Sequence, residues 1–186
     1  SPRCAADLAH RCVRHNRPHC TLRAISPVTQ LTIKDAMSCF TTGVTVVTTH
    51  TQNQDWGMTC NSFNTVSLGP AMVLWSVRRA SFSHEAFVTA GGYVVNVLAS
   101  HQQDLALRFA KGSQAERFAD LSLERTAMHM PRLPQVLAWF ACQTVQVVQA
   151  GDHDILIGEV REFGCQAGHG LAYSQRRFGV MANLDE

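Results

Sequence analysis

No stretch of this 186-residue chain stays apolar for the roughly 20 residues that a membrane-spanning helix needs. The first residues are polar and basic, and no apolar segment follows them, so a secretory signal is not expected and the reading is cytoplasmic. Several catalytic signatures are missing as well. There is no G-x-S-x-G, no H-E-x-x-H, no P-loop and no G-x-G-x-x-G. No nucleophile triad can be assembled. If the chain is an enzyme, a cofactor must carry its chemistry. Charge is sparse, at 16% of residues, but hydrophobic residues reach 46%. That composition suits one folded domain with a real core and not a disordered chain.

The net charge of +2 conceals an asymmetry. Residues 1–26 carry five Arg and a single acid, Asp7, a balance of +4, and the remaining 160 residues balance at −2. The basic excess belongs to the N-terminal segment, so the globular part gives no electrostatic reason to expect nucleic acid. That segment has almost no apolar periodicity and reads as a flexible leader before a single domain at 27–186. Its Cys4, His10, Cys12, His15, His19 and Cys20 are chemically able to bind zinc, but their spacing matches no compact finger. The other four cysteines, Cys39, Cys60, Cys142 and Cys165, stand singly among apolar or small residues. They read as reduced, mostly buried thiols.

Past the leader, the pattern is mainly β with short helices. Ile33, Ala36, Met37 and Phe40 recur at helical spacing behind a possible Thr32 cap. Gly43–Thr49 is a β-branched run, and His50–Asp55 reads as a turn. A second strand starts near Gly57, and Ala71–Val77 makes a third. Ser81–Gly92 reads as a helix capped by Ser81 or Ser83, Tyr93–Leu98 as a strand, and His101–Ala110 as another helix. Phe140–Gln149 and Asp154–Phe163 form the arms of a long hairpin turning at Ala150-Gly151-Asp152. Six or so strands with only short helices between them argue for an antiparallel closed barrel, which removes exposed edges.

Three segments are candidates for chemistry. Gly57–Pro70 is crowded with small hydroxyl and amide side chains, among them Thr59, Asn61, Ser62, Asn64, Thr65 and Ser67. Such a strand faces either solvent or a polar planar ligand, because a core strand would leave those groups without partners. Arg78, Arg79, Ser81 and Ser83 precede a helix and make either an anion site or an ordinary Ser cap with two exposed arginines. His153 follows a hairpin turn, where a lone histidine is ordinarily a surface residue.

Taken together, four stretches resemble the flavin reductase-like family, the small reductase components of two-component flavin monooxygenases. They are Phe40–Thr49, Gly57–Val77, Tyr93–Ala110 and Ala150–Val160, in the family's order. The resemblance implies an antiparallel Greek-key split β-barrel of the FMN-binding type and a homodimer with each flavin near the subunit interface. It implies hydride transfer from NADH or NADPH to FMN or FAD and a partner flavin-dependent monooxygenase. A tight flavin-binding electron carrier without nucleotide turnover is the alternative. It places the flavin ring and ribityl chain against Met58, Thr59, Cys60, Asn61, Ser62 and Ser67. The phosphate falls near Ser76, Arg78, Arg79, Ser81 and Ser83, and Phe109 and Ala110 match a pocket-lining segment. His153 and Phe178 fall at nicotinamide-contacting positions. Phe178 stands where the family often has Tyr, so the ring can stack but has no hydroxyl to offer.

Overall fold

The computed structural model describes residues 32–181. The expected leader at 1–26, with its cysteines and histidines, lies outside the described residues. The first helix, α1 (Ile33–Ser38), is capped as its sequence predicts. The Thr32 hydroxyl accepts from the Asp35 amide, and the Asp35 carboxylate accepts from the Thr32 amide. The apolar spacing does not lead into the core: Ile33, Met37 and Phe40 are each more than two-thirds exposed.

A two-residue strand β1 (Thr42–Gly43) precedes β2 (Thr45–Thr51) and β3 (Gln54–Cys60). Their turn is tighter than the polar His50–Asp55 stretch suggests. Only Gln52 and Asn53 form it, with φ of 53° and 56°. That is the turn whose twist matches the flanking strands. Next come β4 (Asn64–Leu68) and β5 (Ala71–Arg78). The Gly57–Ser67 stretch, expected as one strand, is therefore two, interrupted at residues 61–63. The reason is pairing: β3 pairs with β2, and β4 pairs with β5.

Helix α2 (His84–Thr89), strand β6 (Gly92–Val97) and helix α3 (Gln103–Ala110) follow. Between α3 and the hairpin lie three elements that were not foreseen: α4 (Gln114–Phe118), β7 (Glu124–Arg125) and β8 (Pro131–Arg132). The hairpin is longer than expected, with arms β9 (Ala138–Ala150) and β10 (His153–Cys165). A C-terminal ribbon, β11 (Ala172–Ser174) and β12 (Arg177–Gly179), pairs with β1.

Seven strands form one antiparallel sheet in the order β3-β2-β6-β9-β10-β5-β4. Its two outermost strands, β3 and β4, are consecutive in the chain. A flat sheet would hold those edges about 29 Å apart. Three linking residues reach at most about 14 Å. The sheet must curl until its edges meet, so the barrel closes through Asn61-Ser62-Phe63 and not through a ladder. Ser62 clamps the seam: its hydroxyl accepts from the Ser76 amide at 2.9 Å and donates to the Ser76 carbonyl at 3.1 Å. From β5 the chain passes through α2 to β6, which lies three places away in the sheet. This crossover is the Greek-key departure from an up-and-down order.

The barrel interior is packed around Trp75, which meets Phe87 edge-on at 4.8 Å and Tyr93 at 5.8 Å. Val47, Val95 and Leu156 belong to the same cluster. A second cluster lies outside the barrel beneath α3, with Val46, Leu98, Phe109 and Leu133. Strand β2 is thus buried on both faces, which explains its unbroken β-branched run. Among the described residues, no helix is long and apolar enough to cross a membrane.

Candidate functional site

Strand β3 is a sheet edge, so its outward amides and carbonyls need partners. Helix α4 supplies them at Gly57. The Gly57 amide donates to Gln114 Oε1 at 2.9 Å, and its carbonyl accepts from Arg117 Nη1 at 2.6 Å. Gly57 has no room for a side chain: a Cβ there would lie 2.5 Å from the Phe109 ring.

Farther along β3 a cleft of about 360 Å³ opens between this edge and the C-terminal ribbon. Its walls include Thr59, Asn61, Leu107, Ala110, Tyr173 and Phe178. The Thr59 hydroxyl donates to the Ala106 carbonyl at 2.6 Å and so holds α3 against the strand. Asn61 is exposed. Tyr173 and Phe178 face each other across the ribbon with ring centres 5.2 Å apart. Arg176, in the ribbon turn, bonds Asp35 of α1 at 2.6 Å. Hydrogen bonds from Thr32, followed by Arg176, keep the Asp35 carboxyl below its ordinary pKa. Cys60 also lines the cleft, but its thiol is turned onto Thr45 Oγ1 at 3.1 Å, where burial pushes its pKa up.

Residues 78–84 separate two further clefts. One, of about 480 Å³, is lined by Ser81, Phe82, Ser83, Ser113, Gln114 and Arg117. Ser83 stands at the N-cap position of α2 but makes no capping bond. Instead its hydroxyl accepts from Gln114 Nε2 at 3.0 Å. Gln114 thereby ties this cleft to Gly57 of β3. The Ser81 hydroxyl accepts from the Ser83 amide at 3.3 Å. The other cleft, of about 530 Å³, is lined by Arg78, Arg79, His84, Gly151 and Asp152. His153 stands at its border, opposite Arg78 in the β5–β10 ladder, with its ring on Asp152 at 2.8 Å. A fourth cleft, of about 380 Å³ near Arg132, Trp139 and Cys165, contains none of the expected site residues.

The expected residues therefore fall into groups. Thr59, Cys60, Asn61 and Phe178 share one cleft, Ser81 and Ser83 a second, and Arg78 and Arg79 a third. Ser62 and Ser76 bond each other at the seam, and Met58 packs on the barrel core. Ser67 pairs with Met72, six residues up β5 from Arg78, about 20 Å away by strand rise. Phe109 is fully buried against Phe118 and backs β3 from behind; its neighbour Ala110 lines the cleft. Tyr173, Gln114, Arg117 and His84 were missed. The spacing Ser113-x-x-Glu116 is a capping box that signals α4, but nothing in the sequence signals that Gln114 reaches Gly57.

A family model described as "Flavin reductase like domain" matches residues 37–182. The reductase component of a flavin-dependent trigonelline monooxygenase from Acinetobacter baylyi is 43% identical over 142 residues, 76% of this chain. This chain spans only 46% of that relative's length. An FMN reductase (NADH), SmoA, from Agrobacterium fabrum is 41% identical over 146 residues, covering 78% of this chain and 83% of the relative. Among solved structures, the flavin reductase PheA2 superposes with a TM-score of 0.74 at 35% identity, over 81% of this chain and 96% of the other. The NADH:FAD oxidoreductase SgcE6 of Streptomyces globisporus, in complex with NAD and FAD fragments, gives 0.77 at 30% identity, over 82% and 93%. With the split seam and the adjoining cleft in place, these matches show that the chain belongs to the flavin reductase-like domain family.

Proposed function

We propose that this chain is an NAD(P)H-dependent flavin reductase that passes hydride from a reduced nicotinamide to FMN or FAD and supplies reduced flavin to a partner monooxygenase. The observation that carries this reading is the cleft between β3 and the C-terminal ribbon. Its walls suit a planar heteroaromatic ring with one polar edge. Val44, Ala106, Leu107 and Ala110 give apolar contact, Tyr173 and Phe178 give aromatic faces, and Asn61 stands exposed with an amide to offer. At about 360 Å³ the cleft is near the small end of cofactor sites, commonly ~300–1,000 Å³. It accommodates a ring system and leaves the phosphates to other clefts.

Flavin, when bound, supplies the hydride acceptor, and the transfer needs little acid or base from the protein. The chain's own work is stacking and distance. Thr59 holds α3 in place and so fixes the cleft's width. Phe178 stacks on the nicotinamide without hydrogen-bonding it. Ser81 and Ser83 each accept one bond and keep a hydroxyl hydrogen for a phosphate, next to the guanidinium of Arg117. The names of the Acinetobacter and Agrobacterium relatives support an NADH-dependent reductase that works with a monooxygenase. Val145 and Val147 of β9, Phe163 of β10 and Leu68 of β4 remain exposed in the single chain and support a homodimer.

The test is NADH and NADPH oxidation at fixed enzyme while FMN or FAD is titrated. Saturable, flavin-dependent oxidation is expected. Flavin binding without oxidation would favour an electron carrier. Absence of both would remove the reading.

A further inference from the structure

The C-terminal ribbon forms one wall of the cleft beside β3, yet it stands outside the seven-strand sheet. Its root is fixed. The Leu171 amide donates to the Leu98 carbonyl at 2.9 Å, the Val44 amide donates to the Leu171 carbonyl at 3.0 Å, and Leu171 is buried. Beyond the root the ribbon pairs with β1 over two residues, Thr42 and Gly43. Its tip, Gln175-Arg176, is a two-residue turn with φ of 48° and 63°. That backbone region favours glycine, and other residues persist in it where their surroundings hold them there.

Helix α1 holds the tip. The Gln175 amide donates to the Ser38 carbonyl at 2.6 Å, and Arg176 Nη2 donates to Asp35 Oδ1 at 2.6 Å. Just past the helix, Thr41 Oγ1 donates to Ser174 Oγ at 3.0 Å. Asp35 divides its two oxygens. Oδ2 accepts from the Thr32 amide and hydroxyl and caps the helix, which leaves Oδ1 for Arg176. Because α1 buries no residue of its own, polar bonds and not packing join it to the ribbon. Contacts of that kind belong to the least stable part of a fold, the part that opens first. The opposite wall is held differently, by the Thr59 bond that ties α3 to β3.

We infer that Arg176 is a positioning residue: through Asp35 it latches the ribbon tip to α1, keeps Tyr173 and Phe178 against the cleft, and sets how fast a bound flavin leaves. The occupant rests on the reductase reading; the latch does not. The two side chains are 61% and 35% exposed, so the pair is a weak clasp. A weak clasp suits a flavin that must be held for hydride transfer and then released.

The experiment compares the full chain with Arg176→Gly, Asp35→Asn and the double variant. Glycine removes the guanidinium and suits the left-handed turn, so the ribbon keeps its backbone. Asparagine keeps an oxygen for the Thr32 cap and gives up the charge. FMN is bound first, and its release on dilution is followed by flavin fluorescence. Each single variant should release FMN about threefold faster than the parent. The double variant should be no faster than either single one, because both remove the same bond. Parental release in either single variant would overturn the latch, as would a double variant in which the two effects multiply. Amide exchange, read by mass spectrometry without flavin, is the second measurement. Residues 172–179 should exchange faster in all three variants, with β2 unchanged. Unchanged exchange at 172–179 would also overturn the latch. If the parent binds no FMN, the flavin reading fails and exchange still decides the latch. If it binds FMN but oxidises no nucleotide, the reductase reading fails and the latch is decided by release and exchange.

Discussion

Cys142 is fully buried on β9, and burial pushes its thiol up to about 12. Cys39 and Cys165 are exposed. An alkylating reagent at pH 8 should therefore label Cys39 and Cys165 quickly in the native protein and reach Cys142 only after denaturation. Peptide mass spectrometry would resolve the three sites, and rapid native labelling of Cys142 would contradict the packing. The sequence suggested mostly buried thiols from their apolar neighbours. Neighbours in sequence do not say which face of a strand a residue takes, and Cys165, at the far end of β10, faces out.

Asp55 offers a second test at the residue scale. Burial pushes its carboxyl up, but the two-pronged bond from Arg125, at 2.7 Å for each nitrogen, and the His50 ring outweigh this, so its pKa is lowered. A carboxyl that binds its proton more weakly when folded adds stability above its unfolded pKa, about 3.9 for Asp. That contribution disappears as the pH falls through the folded value. Asp55→Asn should cost about 1–3 kcal/mol at pH 7 by urea unfolding. The gap between variant and parent should close as the solution is made acidic. A gap that persists at pH 2 would assign the loss to something other than this charge.

The strongest elements were legible because their patterns are local. The Thr32 cap, the β-branched run of β2 and the long hairpin all follow from neighbours a few residues apart. The division of Gly57–Ser67 into β3 and β4 was not legible. It depends on pairing with different partners at opposite edges of the sheet, and a polar stretch looks the same whether it makes one strand or two. Helix α4 is short, and its Gln114 acts through bonds to residues far away in the chain. Gln114→Ala should leave the buried Gly57 amide without its acceptor and release Ser83. The expected cost is about 1–3 kcal/mol of stability, read from the unfolding midpoint. It should also raise the flavin KM, since β3 and the cleft lined by Ser81 and Ser83 lose their connection. A variant with unchanged stability and unchanged flavin KM would show that Gln114 is incidental.

For the whole molecule, the barrel follows from one fact of topology: the two edge strands are neighbours in the chain, so the sheet has to close on itself. The cleft lined by Thr59 and Asn61 opens beside the seam that results, and this is why those small polar residues line a cleft and not the core. The candidate site was legible as a set of residue types. Its distribution over three clefts was not, because Thr59, Ser83 and Arg79 are brought near or kept apart only by the closed barrel.

The central claim is that flavin and nicotinamide meet in the cleft beside β3. Ala110→Trp tests it most directly. Ala110 is exposed at the end of α3 and lines that cleft, so an indole there fills the space without entering the core. The measurement is flavin-dependent NADH oxidation, with a thermal unfolding curve to establish that the variant is folded. The account predicts loss of at least about a hundredfold in kcat/KM with a melting temperature near that of the parent. A folded variant with parental activity would place the reaction elsewhere on the molecule.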